Sequence, residues 1–118
     1  MNKILVVDDD PDILELVELI LTMNDFKVKA LARWEDINSS IIHFKPDLIL
    51  LDVSLAGADG RDICKKIKLE KETENMPVVL FSANADMIKS IRDCNAQAFI
   101  AKPFELTHLV NTISRCLN

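Results

Sequence analysis

Four uninterrupted apolar runs, Ile4–Val7, Leu48–Leu51, Val78–Phe81 and Ala98–Ala101, constrain the fold more than any other feature of the chain. None alternates apolar with polar residues, so each reads as a strand covered on both faces, the pattern of a parallel sheet sandwiched between helices. A weaker fifth run, Phe26–Leu31, interleaves Lys27 and Lys29 with apolar residues and suits a half-exposed edge strand. Helical periodicity fills the intervals. Asp10 reads as an N-cap and Pro11 as the first helical residue of a segment ending near Asn24, with Asp12, Glu15, Glu18 and Thr22 as its polar stripe. Trp34–Phe44, Arg61–Glu70, Asp86–Cys94 and Glu105–Leu117 are the other expected helices. Asp59-Gly60 opens the segment from Arg61, and Asn95, which tolerates a left-handed cap, closes the one ending at Cys94.

Strands alternating with helices predict an α/β, doubly wound, flavodoxin-like fold: a five-stranded parallel sheet of order 2-1-3-4-5 with right-handed crossovers and five flanking helices. A chain of 118 residues has room for one domain, 1–118, and no repeat, low-complexity stretch or linker divides it. With 49% apolar residues it can bury a core without disulfides or a structural metal. Cys64, Cys94 and Cys116 show no CxxC and no histidine at ligand spacing, and read as free thiols of a reducing cytoplasm. His43 and His108 stand alone and read as helix-surface or part-buried residues. The net charge of -5, with no basic cluster, argues against binding nucleic acid or anionic membrane. Ile4–Val7 is too short for a signal peptide or a membrane span. The expected location is the cytoplasm, and the expected partners are proteins or a cation.

What ends each run carries the chemistry. Asp8, Asp9 and Asp10 follow the first strand, Asp52 the third, Ser82 the fourth and Lys102 the fifth. In a parallel sheet these ends share one edge with neighbouring strands about 4.8 Å apart, so the groups converge on one crevice. Carboxylates about 5 Å apart repel by about 3 kcal/mol per pair at an effective dielectric of about 20, a penalty that a cation relieves. An all-oxygen donor set with open positions favours Mg²⁺, or else Mn²⁺. Asp10 is best explained as the cap and Asp59 as a turn or cap residue, but capping needs only one side chain, so Asp8 and Asp9 together point to metal.

Val6-Val7-Asp8-Asp9-Asp10-Pro11, Leu50-Leu51-Asp52-Val53, Ser82-Ala83 and Ala101-Lys102-Pro103-Phe104 resemble the four signatures of the receiver domains of two-component response regulators, in order and at family spacing. The resemblance covers essentially the whole chain. It implies that Asp52 accepts a phosphoryl group from a sensor histidine kinase or phosphotransfer protein, with Asp9 and the Ser54 main-chain carbonyl as direct Mg²⁺ ligands. It further implies that Asp8 assists through water and Asp52 adds an oxygen, while Ser82 and Lys102 hold phosphoryl oxygens. Phe99 falls at the switch aromatic position, and the Lys102–Pro103 bond is expected to be cis. Such a domain catalyses its own phosphorylation and dephosphorylation without being a turnover enzyme, and its conformational change controls a protein partner.

This sequence departs from the family pattern at three places. Ala56 stands where proline is usual, so a more mobile loop is expected; Ser82 replaces the more frequent threonine and keeps the hydroxyl. Asn95-Ala96-Gln97-Ala98 replaces a glycine followed by two acids, which removes an acidic element of the family's salt-bridged dimer face. A mostly monomeric chain with a different protein partner is the expectation. Competing readings are weaker. An aspartyl phosphatase resembling the haloacid dehalogenases needs a second acid where Ser54 stands, and a degenerate receiver acting as a binding module usually loses acids or the lysine that are present here. A flavin or nucleotide cradle has no support in Asp8-Asp9-Asp10 and a total of two glycines.

Overall fold

A computed structural model describes residues 1–84 and 91–118. The strands are β1 (Lys3–Val7), β2 (Lys27–Leu31), β3 (Leu48–Asp52), β4 (Ser54–Leu55), β5 (Ala58–Asp59), β6 (Val78–Ser82) and β7 (Ala98–Ala101). The helices are α1 (Pro11–Met23), α2 (Ile37–Phe44), α3 (Gly60–Leu69), α4 (Ile91–Cys94) and α5 (Leu106–Leu117). β2-β1-β3-β6-β7 form one sheet in which every pairing is parallel, while β4 and β5 form a separate antiparallel hairpin. Leaving the hairpin aside, the order is the expected 2-1-3-4-5.

The period of two along each strand divides the core between the sheet's faces. Ile4, Val6, Leu48, Leu50, Val79 and Phe81 meet Leu14, Val17 and Leu21 of α1 and Leu109 and Ile113 of α5. Leu5, Val7, Ile49, Leu51, Val78 and Leu80 meet Ile37 of α2, Cys64 and Ile67 of α3, and Cys94 of α4. β1, β3 and β6 are therefore clad on both sides, which is why their sequences do not alternate. β2 is the half-exposed edge that Lys27 and Lys29 implied. β7, read from its sequence as doubly covered, is the other edge: Ile100 is buried, but Ala101 is exposed and Ala98 and Phe99 are half-buried.

The element ends follow local chemistry. Asp10 caps α1 through a 3.0 Å bond from the Asp12 N–H, with Pro11 in the first turn. β2 starts one residue later than expected because the Phe26 N–H turns back to the Leu21 carbonyl at the end of α1. Trp34–Asp36 is wound as a 3₁₀ turn, so the regular helix begins only at Ile37. α3 begins at Gly60, one residue early, with Asp59 capping the Arg61 N–H at 2.9 Å. Glu105 precedes α5 with an extended backbone rather than forming its first turn. Of the fourth helix expected over Asp86–Cys94, residues 86–90 lie outside the described residues. Ile91–Cys94 is helical, and Asn95 follows it at φ 62°, the left-handed conformation expected of it. Among the described residues, the flanking layer is thus four helices of eight or more residues plus this turn.

At the opposite edge of the sheet from the aspartates, the Gln97 Oε1 accepts the Val78 N–H at 2.7 Å and the Lys68 ammonium at 2.9 Å. Lys68 also reaches the Met76 carbonyl. Gln97 therefore has a local role in tying α3 and β6 to the start of β7.

Candidate functional site

β1 ends at Val7 and β3 at Asp52, and because these strands are neighbours their C-terminal ends bring Asp8, Asp9 and Asp52 together. One carboxylate oxygen from each lies within 4.8 Å of those of the others. Asp8 and Asp52 are buried, whereas Asp9 is exposed. Each carboxylate is held differently. Asp8 Oδ1 accepts the Asp10 N–H at 2.9 Å and Asp8 Oδ2 accepts the Lys102 ammonium at 2.8 Å. Asp52 Oδ1 accepts the Ser54 N–H at 3.3 Å, and its Oδ2 lies 3.4 Å from Lys102 Nζ. Asp9 Oδ2 accepts the Ala56 N–H at 3.0 Å.

Lys102 follows β7, and its backbone N–H bonds the Ser82 carbonyl at 2.9 Å, which fixes where the side chain departs. The Lys102–Pro103 peptide bond is cis. The ammonium sits 4.4 Å from the centre of the buried Phe81 ring, a cation–π contact at the end of β6. Ser82, buried at that strand end, accepts the Asn84 N–H on its hydroxyl at 3.1 Å. Phe99, opposite Leu80 in the register of β6 and β7, is half-buried against the core on the α2–α3 face. Ser54 opens the hairpin beside Asp52 and is exposed.

The balance of charge is negative. Burial and then the neighbouring Asp8 carboxylate push the Asp52 pKa up from 3.8 to about 6, against the opposing pull of Lys102. Three carboxylates facing one ammonium leave a site whose donors are all hard oxygens, which suits a Mg²⁺-sized cation and not a soft one. Asp8, Asp9 and Asp52 are the carboxylates that could hold such a cation, each with one oxygen already placed toward the others.

Sequence reasoning missed three supports of this site. Trp34 Nε1 donates to the Ala56 carbonyl at 3.1 Å, and Phe81 underlies the lysine. Gly60 packs so closely under β3 that a Cβ there would lie 2.1 Å from the Asp52 carbonyl oxygen. Only the last left a sequence signal, being one of two glycines in the chain. Asp10 and Asp59 act as caps, as their positions suggested, and His43 and His108 are exposed. Cys64, Cys94 and Cys116 are not joined in disulfides, and no helix among the described residues is long and apolar enough to cross a membrane.

Comparison with known proteins agrees with this geometry. The chain is 29% identical over 119 residues to RpaA of Synechocystis, a DNA-binding dual master transcriptional regulator, covering 99% of this chain and 49% of RpaA. It thus spans about half the length of the curated relatives it matches. A crystal structure from Chloroflexus aurantiacus, provisionally assigned as a response regulator, superposes with a TM-score of 0.92 at 29% identity and covers 98% of this chain and 97% of its own. The BeF3-activated N-terminal receiver domain of RstA from Klebsiella pneumoniae superposes with a TM-score of 0.87 at 30% identity, covering 99% of both chains. The sequence model of the response regulator receiver domain matches residues 4–114. Since that match runs through every strand of the sheet and every residue of the acidic crevice, the chain belongs to the response regulator receiver domain family.

Proposed function

We propose that this domain is a phosphoacceptor switch of a two-component or phosphorelay system, working in the cytoplasm and receiving its phosphoryl group on Asp52. The observation that carries the reading is the placement of Asp52: buried, at the end of a central strand, beside Lys102 and within reach of Asp8 and Asp9. A carboxylate there is shielded from bulk water yet sits at an open sheet edge that a phosphodonor can approach. The Asp52 carboxylate attacks the phosphorus of a phosphohistidine on a sensor kinase or phosphotransfer protein, the P–N bond breaks, and an acyl phosphate forms. Lys102 pairs with one phosphoryl oxygen and the Ser82 hydroxyl donates to another. Asp9, Asp52 and the Ser54 carbonyl hold Mg²⁺, with Mn²⁺ as a substitute, and Asp8 assists through water. The bound cation neutralises charge on the transferring group. The domain returns to its starting state by its own hydrolysis of the acyl phosphate, so it is not a turnover enzyme. The acids and the lysine are all retained, which favours this reading over a phosphorylation-independent binding module.

Incubation with acetyl phosphate and Mg²⁺ is expected to label the protein with an acid-stable, alkali-labile phosphoryl group, and Asp52→Asn to abolish the label. Equal labelling of the variant would overturn the assignment.

The output follows from what Ser82 does next. Donating to a phosphoryl oxygen, it draws in Ala83 and Asn84, which follow β6, and the half-buried Phe99 ring turns inward to change the surface around β7 that a protein partner reads. Beryllofluoride with Mg²⁺, a phosphoryl mimic, is expected to shift the NMR resonances of both Ser82 and Phe99, with the protein remaining mostly monomeric in sedimentation. Shifts restricted to the immediate neighbours of Asp52 would count against this switch.

A further inference from the structure

The turn of the small hairpin touches the acidic cluster through main chain alone. Leu55 pairs with Ala58 across β4 and β5, which leaves Ala56 and Gly57 as a two-residue turn. Gly57 has φ +80°, and Ala56 is not among the residues with positive φ. Those φ signs are the ones a type II turn takes, and in such a turn the N–H and the carbonyl of the second residue take no part in the turn's own hydrogen bond and point outward. Here both find partners. The Ala56 N–H donates to Asp9 Oδ2 at 3.0 Å, and the Ala56 carbonyl accepts from Trp34 Nε1 at 3.1 Å. Asp9 is the exposed member of the cluster, while Asp8 and Asp52 are fixed by burial. An exposed aspartate is otherwise free to rotate into water, and each rotamer that points away must be abandoned before the carboxylate can serve as a ligand.

We propose that Ala56 is a positioning residue for divalent-cation binding: its N–H holds the Asp9 carboxylate toward Asp8 and Asp52, and Trp34 braces the turn that carries it. This rests on the proposed reading of the cluster as a Mg²⁺ site. A carboxylate oxygen retains a lone pair after accepting one hydrogen bond, so the contact orients the ligand without blocking it. Outer contacts of this kind are worth about tenfold or more in metal affinity. The side chain of Ala56 has no part in this, so any residue with an N–H serves. Proline, which suits the second position of a type II turn, keeps the backbone shape and deletes only the donor.

The test is Mg²⁺ titration of the unphosphorylated protein, followed by amide NMR shifts and by Mg²⁺-dependent thermal unfolding, in wild type, Asp9→Asn, Ala56→Pro, Ala56→Ser and Trp34→Phe. Ala56→Pro is expected to raise the Mg²⁺ Kd about tenfold. Ala56→Ser should leave it unchanged, and Trp34→Phe, which loses only the brace, should raise it about threefold, a fraction of the direct effect. If the proline variant does not fold, lactate in place of Ala56 removes the same N–H as an ester and must give the same weakening. Wild-type affinity in Ala56→Pro or the ester, with Asp9→Asn still impaired, overturns the role of Ala56 and leaves the metal site standing. Equal binding by wild type and Asp9→Asn overturns the metal site itself, and this inference with it.

Discussion

Gly60→Ala is expected to destabilise the protein by about 3 kcal/mol or more and to lower its melting midpoint by roughly 10 °C. An added Cβ would lie 2.1 Å from the Asp52 carbonyl oxygen and 2.9 Å from both the Asp52 carbonyl carbon and the Val53 Cα. All three are main-chain atoms of β3 or the residue after it, so no side chain can swing aside to make room. The Gly60 N–H also bonds the Val53 carbonyl at 2.8 Å, which locks the start of α3 to the same stretch. Relief requires α3 to lift from the sheet or β3 to bend, and bending moves Asp52. Phosphorylation by acetyl phosphate should therefore fall along with stability. Gly57→Ala is the control: its φ of +80° costs about 1 kcal/mol for any other residue, but the new Cβ meets only Trp34 Nε1 at 3.9 Å. Urea unfolding of both variants checks the ranking, and a Gly60→Ala protein as stable as Gly57→Ala would show that β3 yields easily.

Gly60 also marks the limit of what the sequence discloses. Sheet order and the crevice could be read because they depend on periodicity and on which residue follows each apolar run: Val7 to Asp8, Leu51 to Asp52, Phe81 to Ser82, Ala101 to Lys102. Those are local facts about the chain, and parallel pairing converts them into proximity. The edge position of β7 was hidden because Ala98–Ala101 is apolar on both sides without being covered on both sides; Ala101 is small enough to stand in water at little cost. The hairpin of β4 and β5 was hidden for a different reason. Strands of two residues carry no periodicity, and only Gly57 hinted at a turn.

The supports of the site were the least legible part. Ala56 contributes main-chain groups, which every residue type but proline possesses, so its place at a position where proline is usual discloses an available N–H but not the bond to Asp9. Trp34 acts across 22 positions in sequence, from the far side of β3, and nothing near it in the chain points to Ala56. Phe81 appears as one more core aromatic until Lys102 is placed over it. Side chains that do chemistry can be read from their type and their strand. The groups that aim them are found only once the tertiary contacts are known.

Asp52→Asn is expected to make the metal-free protein more stable than wild type by on the order of 2 kcal/mol above about pH 6, with the difference vanishing toward pH 4. The folded chain holds the Asp52 proton to about pH 6, because burial and the Asp8 carboxylate both disfavour the charged form, whereas the unfolded carboxyl releases it near 3.8. Between those values the native state binds more protons than the unfolded state, so unfolding free energy falls as pH rises. Below the unfolded pKa both states are protonated and nothing is lost; above the folded one the whole penalty is present. Asparagine fills the same space without a charge and removes this slope. The Asp59–Arg61 pair acts in the opposite sense: hydrogen bonding from Arg61 holds the Asp59 carboxyl below its ordinary value, and its contribution disappears as pH falls through that lowered value. Both proteins share that pair, so it cancels in the difference. Saturating Mg²⁺ should reverse the ranking at pH 7.5, since a cation that binds the native wild type stabilises it by linkage and Asp52→Asn has lost a ligand. Urea unfolding at pH 4.5 and 7.5, each with EDTA or with Mg²⁺, measures all four corners. Parallel pH dependences for the two proteins in EDTA would mean that Asp52 is already ionised at pH 4.5, and that Lys102 outweighs burial and Asp8 in setting its charge.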